Sequence, residues 1–278
     1  MRSQPIITGF DTSAEAVDGL ALARLLTDLV GGELVVARVF DGEIEHEEPD
    51  RRFQRKVRET IGETRRAVVA AIPGVATDVM PVVDLRVSRG LHALAEAREA
   101  AFLVLGSTHH GPLGRLLLGS TAEGVINGAP CPVAVAPPGF AADPVLNPLR
   151  IGAAYDGSSA AHAALGVATD LAAAARARLQ LLAVNAPWWE HPIAGHQHDA
   201  GAESRSVLAE LPDDVPVDMQ VLHGDPAAML VEATAALVGL MVSGSNAKGP
   251  LRRALLGSVS TALVRHAHCP VVVVPRAR

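Results

Sequence analysis

The chain has 278 residues, about half of them apolar and only 3% aromatic, with a net charge of −6 and an isoelectric point near 6.0. That balance argues against general affinity for nucleic acid or an anionic membrane, because a net-acidic chain is expected to lack a basic face large enough to release many counterions. A core so poor in aromatic rings must be built from Ala, Val and Leu, the composition of helices laid on a parallel sheet, and the length suits two domains.

In chain order, residues 6–10 form a short apolar run, and Asp11-Thr12-Ser13 supplies capping side chains for a helix with apolar positions at Ala16, Leu20, Ala23 and Leu26. Gly31-Gly32 stops that helix, and residues 34–40 make a second strand. The acidic stretch 41–50 reads as a solvated connection. An amphipathic helix follows over 51–71, closed by Pro73-Gly74, and residues 79–83 make a third strand. Ser88 is placed to cap a helix through Leu91, Leu94 and Ala95, residues 102–105 form strand four, Gly119-Ser120 opens the next helix, and residues 132–136 form strand five.

Pro137-Pro138-Gly139 through Pro144 and Pro148 breaks the periodicity and has the composition of an interdomain connection. The order then restarts. Residues 151–155 are a strand, Asp156-Gly157-Ser158 repeats the acid and the cap, residues 159–175 are an alanine-rich helix, and residues 179–184 are the next strand. The loop 188–198 gathers His191, His196 and His198 with two tryptophans, but lacks a third ligand at metal-binding spacing and reads as surface. Residues 217–222 are a strand, Asp225-Pro226 opens a helix in the favoured N-cap and N1 order, and residues 240–242 and 270–274 complete the set.

The second half repeats the first. Gly106 and Gly244, Gly111 and Gly249, Gly119 and Gly257, and Cys131 and Cys269 are each 138 residues apart. In each copy a strand stops at Gly-Ser and a second Gly-Ser opens a helix, an arrangement that offers backbone N–H groups to an anion. Strands alternating with helices require parallel sheets with right-handed crossovers, so two tandem doubly wound five-stranded α/β domains are expected, with ligands beyond the strands' carboxyl ends. Cys131 and Cys269 read as small buried hydrophobes. No signal-like apolar core and no run of roughly 20 apolar residues is present, so a soluble, cytoplasmic protein is the expectation.

On these residues the chain resembles the universal stress protein family in its tandem two-domain form, over nearly its whole length, with domains at 1–139 and 148–278. The resemblance implies the adenine nucleotide alpha hydrolase-like fold with strand order 3-2-1-4-5, and ATP bound between strands one and four with Mg2+ as an optional companion. It also implies pairing through strand five, giving an intramolecular pseudo-dimer with scope for a homodimer. Carried over, it places Asp11 and Asp156 on the adenosine, Val39 and Val184 beside the base, and Gly106 and Gly244 where phosphate approaches the main chain. Gly119, Ser120 and Thr121 in one copy, and Gly257, Ser258 and Ser260 in the other, would hold phosphate at a helix start.

The nucleotide-binding branch looks like Gly-x2-Gly-x9-Gly-Ser, and here the second glycine is replaced by His109 and Ala247, with glycine two residues later at Gly111 and Gly249. Arg115 and Arg253 share one loop position and could neutralise phosphate, although solvated arginines are the commoner outcome. Ala247 is the smaller intrusion, and Ser260 adds a hydroxyl where the first copy has Ala122, which ranks the second site above the first. The expected function is a stress-response regulator that binds adenine nucleotide. A scaffold of the same fold acting through protein contacts alone is the alternative. No P-loop and no adenylylation signature is written in the chain, so catalysis beyond slow ATP hydrolysis is not expected.

Overall fold

Ile6, Ile7 and Thr8 have no exposed surface, and neither do Val35, Val36 and Ala37. Short apolar runs without alternation are what strands covered on both faces require. The computed structural model describes residues 4–42, 51–107, 120–186, 200–245 and 256–276. The chain divides into two units, Met1–Pro144 and Val145–Arg278.

The first unit runs β1 (Ile6–Gly9), α1 (Ala14–Val30), β2 (Leu34–Phe40), α2 (Arg51–Ala71), β3 (Thr77–Val83), α3 (Val87–Ala97), β4 (Phe102–Gly106), α4 (Ser120–Ile126) and β5 (Val133–Ala136), then a single 3-10 turn at Phe140–Ala142. Its strands lie in the order β3-β2-β1-β4-β5, all parallel, with Ile6 opposite Leu34 on one side and Phe102 on the other. A Cβ built on Gly9 would point at Leu91 of α3, and one on Gly106 at Glu15 of α1. Helices therefore cover both faces, and the winding reverses between β1 and β4, which is where such sheets bind ligands.

The second unit runs β6 (Arg150–Ala154), α5 (Ser159–Ala175), β7 (Arg178–Asn185), α6 (Ala200–Leu208), β8 (Val217–His223), α7 (Pro226–Ala236), β9 (Leu240–Gly244), α8 (Ser258–His266) and β10 (Val271–Val274). The strand order is β8-β7-β6-β9-β10, again parallel. Both units thus have the doubly wound order expected from the sequence.

Local signals place several helix ends. The Ser13 and Ser158 hydroxyls accept from Ala16 N and Ala161 N at 3.2 Å, and Asp225 accepts from Ala228 N at 2.8 Å with Pro226 at the first helical position. Gly31, at φ 78°, ends α1. Three expectations need correction. Ser88 does not cap α3: the helix starts one residue earlier, and the turn before it is closed by Asp84, which accepts from Arg86 N and Arg89 Nε at 2.8 Å. The Arg89 hydrogen bond holds the Asp84 carboxyl below its ordinary pKa. Ser88 instead faces Gly124 of α4, where a Cβ would meet its Oγ at 3.2 Å. Next, α6 stands between the second and third strands of the second unit, where the sequence reading placed only a loop; nine residues with a weak amphipathic pattern left little signal.

The third correction concerns charge. Some of the cations do gather: α2 alone carries seven of the 24 Arg and Lys, against two Glu, while Ile61, Thr64 and Val68 turn inward. Net charge is a sum over the chain and is silent about where the charges lie. Among the described residues no helix is long and apolar enough to cross a membrane.

Candidate functional site

Asp11 lies two residues beyond the end of β1 and is exposed. Its Oδ1 accepts from Ser13 N at 3.0 Å and Ser13 Oγ at 2.5 Å, so the carboxylate orders the turn that starts α1. Asp156 does the same after β6, accepting from Ser158 N at 3.1 Å. The residue between acid and cap is left-handed in both copies, Thr12 at φ 71° and Gly157 at φ 74°. A β-branched residue there stores strain of about 1–3 kcal/mol, more than the roughly 0.5–1 kcal/mol of chain entropy that glycine costs. Replacing Thr12 by Gly is expected to stabilise the protein by about 1 kcal/mol in urea unfolding; a lower midpoint would show that the threonine is held by contacts that outweigh its backbone strain.

Val39 and Val184 are half-buried near the ends of β2 and β7, opposite Val82 and Leu222. Val39 lies toward α3, its Cγ1 being 3.7 Å from a Cβ built on Gly90. By strand alternation it shares the sheet face of Ala37 and hence of Gly9. A base docked at the end of β1 would meet an aliphatic surface there.

The glycines have a reason inside the protein. A Cβ on Gly106 would overlap the Glu15 carbonyl and lie 2.5 Å from its carbon; on Gly244 it would overlap Ala160 in the same way. On Gly19 it would meet Gly106 N at 2.6 Å. Both Gly106 and Gly244 thus let the first turn of a helix sit against a strand end, which explains them with no ligand at all.

Ser107 comes next. Its amide donates to Ala136 O at 3.0 Å, continuing the β4–β5 ladder, while its side chain is 5% exposed and its Oγ is buried without a partner among the described residues. Buried hydroxyls are nearly always bonded. The sequence reading took Ser107 only as half of a Gly-Ser motif, and nothing in a sequence announces an unsatisfied hydroxyl.

Of the other expected contacts, Gly119 lies outside the described residues, as do His109, Gly111, Arg115, Ala247, Gly249, Arg253 and the histidine loop. Ser120 is the first residue of α4, and Thr121 is exposed in its first turn. In the second unit Gly257 precedes α8 with no side-chain cap, and Ser258 is exposed. Ser260 is 1% exposed, its Oγ donating to Gly244 O at 2.8 Å and lying 3.3 Å from Ser243 Oγ. That hydroxyl ties α8 to the end of β9, which removes the ground for ranking the second site above the first. The pair standing in its place in the first unit is apolar, Leu105 and Ala122, both buried.

The second unit also has a pair of its own. Tyr155 Oη is 2.8 Å from His162 Nε2, and His162 Nδ1 is 3.0 Å from Ser158 O. A carbonyl can only accept, so Nδ1 carries the proton of the neutral ring and the tyrosine donates to Nε2. Phe10 and Val17 stand at the matching places of the first unit. Cys131 and Cys269 are buried, and burial pushes their thiols up to about 11 and about 12, so neither is a thiolate near neutrality. Among the described residues no group of three metal-binding side chains converges.

The family model described as "Universal stress protein family" matches residues 3–137 and again 149–275. A universal stress protein of Mycobacterium tuberculosis is 34% identical over 229 residues, covering 78% of this chain and 72% of its own. One from Mycolicibacterium smegmatis is 31% identical, covering 76% and 74%. The crystal structure of a universal stress protein from Archaeoglobus fulgidus aligns over 100% of both chains with a TM-score of 0.72 at 22% identity, which shows the fold. Two successive copies of the same strand-acid-cap turn, each with a glycine seating a helix against strand four, fit that match, and the chain belongs to the universal stress protein family.

Proposed function

We infer that the first unit binds an adenine nucleotide beyond the carboxyl ends of β1 and β4, and that the chain serves as a stress-response regulator read through that bound state. The observation that carries this reading is the buried Ser107 Oγ, unpartnered among the described residues, just past the end of β4 and beside β1, which precedes Asp11 by two residues. A hydroxyl donor suits a phosphate or ribose oxygen, the exposed Asp11 carboxylate suits ribose hydroxyls, and Val39 offers aliphatic surface to the base. Mg2+ would enter with a triphosphate. Binding, with at most slow hydrolysis, is the role this donor set supports, because no nucleophile and base pair is brought together among these residues. In the second unit the Ser260 hydroxyl is already bonded to Gly244 O, and this favours a scaffolding role for it.

The test is titration of ATP into nucleotide-stripped protein, with Ser107→Ala alongside. Wild type is expected to bind. The variant should bind about tenfold more weakly yet unfold about 1 kcal/mol higher, because a buried donor without a partner has been removed. Absence of uptake at millimolar nucleotide would remove the reading, as would undiminished binding by the variant.

A further inference from the structure

The charge of this protein is unevenly placed. Seven cations less two acids leave +5 on α2, so a chain of net −6 carries −11 elsewhere. The cations share one side of the helix: Arg51, Arg55 and Arg58 follow at i, i+4 and i+7, Arg65 is seven further, and Arg52 with Lys56 flanks them. All six are exposed, whereas the opposite side holds the half-buried Phe53 and Val57 and the buried Ile61, Thr64 and Val68. An ion pair on the stripe, Arg55 to Glu59 at 3.9 Å, joins side chains that are 71% and 69% exposed, too wet to neutralise Arg55. In the second unit α6 occupies the matching place with one acid and one base, so the stripe belongs to one unit only.

We propose that the outer face of α2 is a peripheral docking surface for an anionic lipid bilayer. The partner's chemistry follows from the charge and from the shape. From Arg51 to Arg66 the stripe runs straight for about 22 Å along a convex helix. A plane of anionic headgroups meets such a row along its whole length, while the phosphates of a duplex curve away from it. No aromatic side chain lies in the row to stack on the bases of a single strand. Val69, 60% exposed and four residues beyond Arg65 on the same face, can seat among the headgroups. Electrostatic reach is about 8 Å at physiological salt, so acidic groups farther than that from the stripe do not cancel the contact. Docking in this manner is peripheral and needs no membrane-crossing helix.

The experiment is sedimentation of the full chain with vesicles of phosphatidylglycerol and phosphatidylcholine in equal parts, and with phosphatidylcholine alone, at low and at physiological salt. Binding is expected to the mixed vesicles only, and to weaken as salt rises. At roughly fivefold per cation, Arg51→Gln, Arg55→Gln and Arg58→Gln together should weaken it about a hundredfold, with an unchanged unfolding midpoint because all three side chains are exposed. A control variant with three exposed arginines outside α2 changed to Gln, Arg86, Arg176 and Arg178, should bind like wild type. No sedimentation with mixed vesicles, equal loss in both variants, or tighter binding to a DNA duplex than to the vesicles would each overturn the proposal. ATP titration of the same α2 variant should be unaltered, which separates this surface from the nucleotide reading.

Discussion

Gly106→Ala and Gly244→Ala are each expected to cost about 3 kcal/mol and to lower the Tm by roughly 10 °C. The added Cβ would fall on the main chain of α1 or α5 at its first turn, at Glu15 in one unit and Ala160 in the other. Backbone held by a capped helix cannot swing aside as a side chain can. Relief would need a shift of the helix start away from β4 or β9, taking with it the Asp11 or Asp156 turn that precedes it. Gly166→Ala provides the contrast: it lies inside α5 with open space around it, and should stabilise by about 0.5–1 kcal/mol through helix propensity. Urea unfolding of the three variants decides the matter. Near-equal midpoints for Gly106→Ala and wild type would mean that helix and strand are not in this contact. The result also bears on function, because nucleotide binding lost in a Gly106 variant would reflect a displaced helix start, and Ser107→Ala is the cleaner probe of the site.

Asp18→Ala is expected to cost about 3 kcal/mol, an effect of the same order from a different cause. Asp18 lies within α1 and is only 6% exposed, and its two carboxylate oxygens accept from Gly139 N and Ala141 N, both at 2.8 Å. Each bond to a charged acceptor contributes roughly 1.5–3 kcal/mol, and alanine would remove the acceptor from both amides. Asp18→Asn keeps one acceptor and should lose less. Amide exchange should rise at Gly139 and Ala141 first, while β1 and β4 stay protected. Unchanged exchange at those two amides would show that the 3-10 turn holds to α1 by apolar contact through the buried Phe140 rather than by the carboxylate.

Gly106, Gly244 and Asp18 mark the limit of what the sequence alone reveals. Strand runs, helix starts at Ser13, Ser158 and Asp225, and the repeat itself were legible because each depends on neighbours within four residues or on a fixed offset of 138. The basic stripe of α2 was legible as well, through arginines at i, i+4 and i+7, but a whole-chain charge hides a local one. The long proline-rich connection looked like pure linker, yet its first part is bound to α1 by Asp18, a partner 121 residues away.

By itself, the amino-acid order determined the two units, their parallel five-stranded sheets and the turns that carry Asp11 and Asp156, because backbone conformation answers to nearby side chains. Tertiary structure alone decided that Gly106 and Gly244 face helix backbone, that Ser260 is turned inward onto Gly244, and that the Ser107 hydroxyl is buried without a partner among the described residues. Those outcomes depend on atoms brought within a few ångströms from distant parts of the chain, and no local pattern encodes that distance.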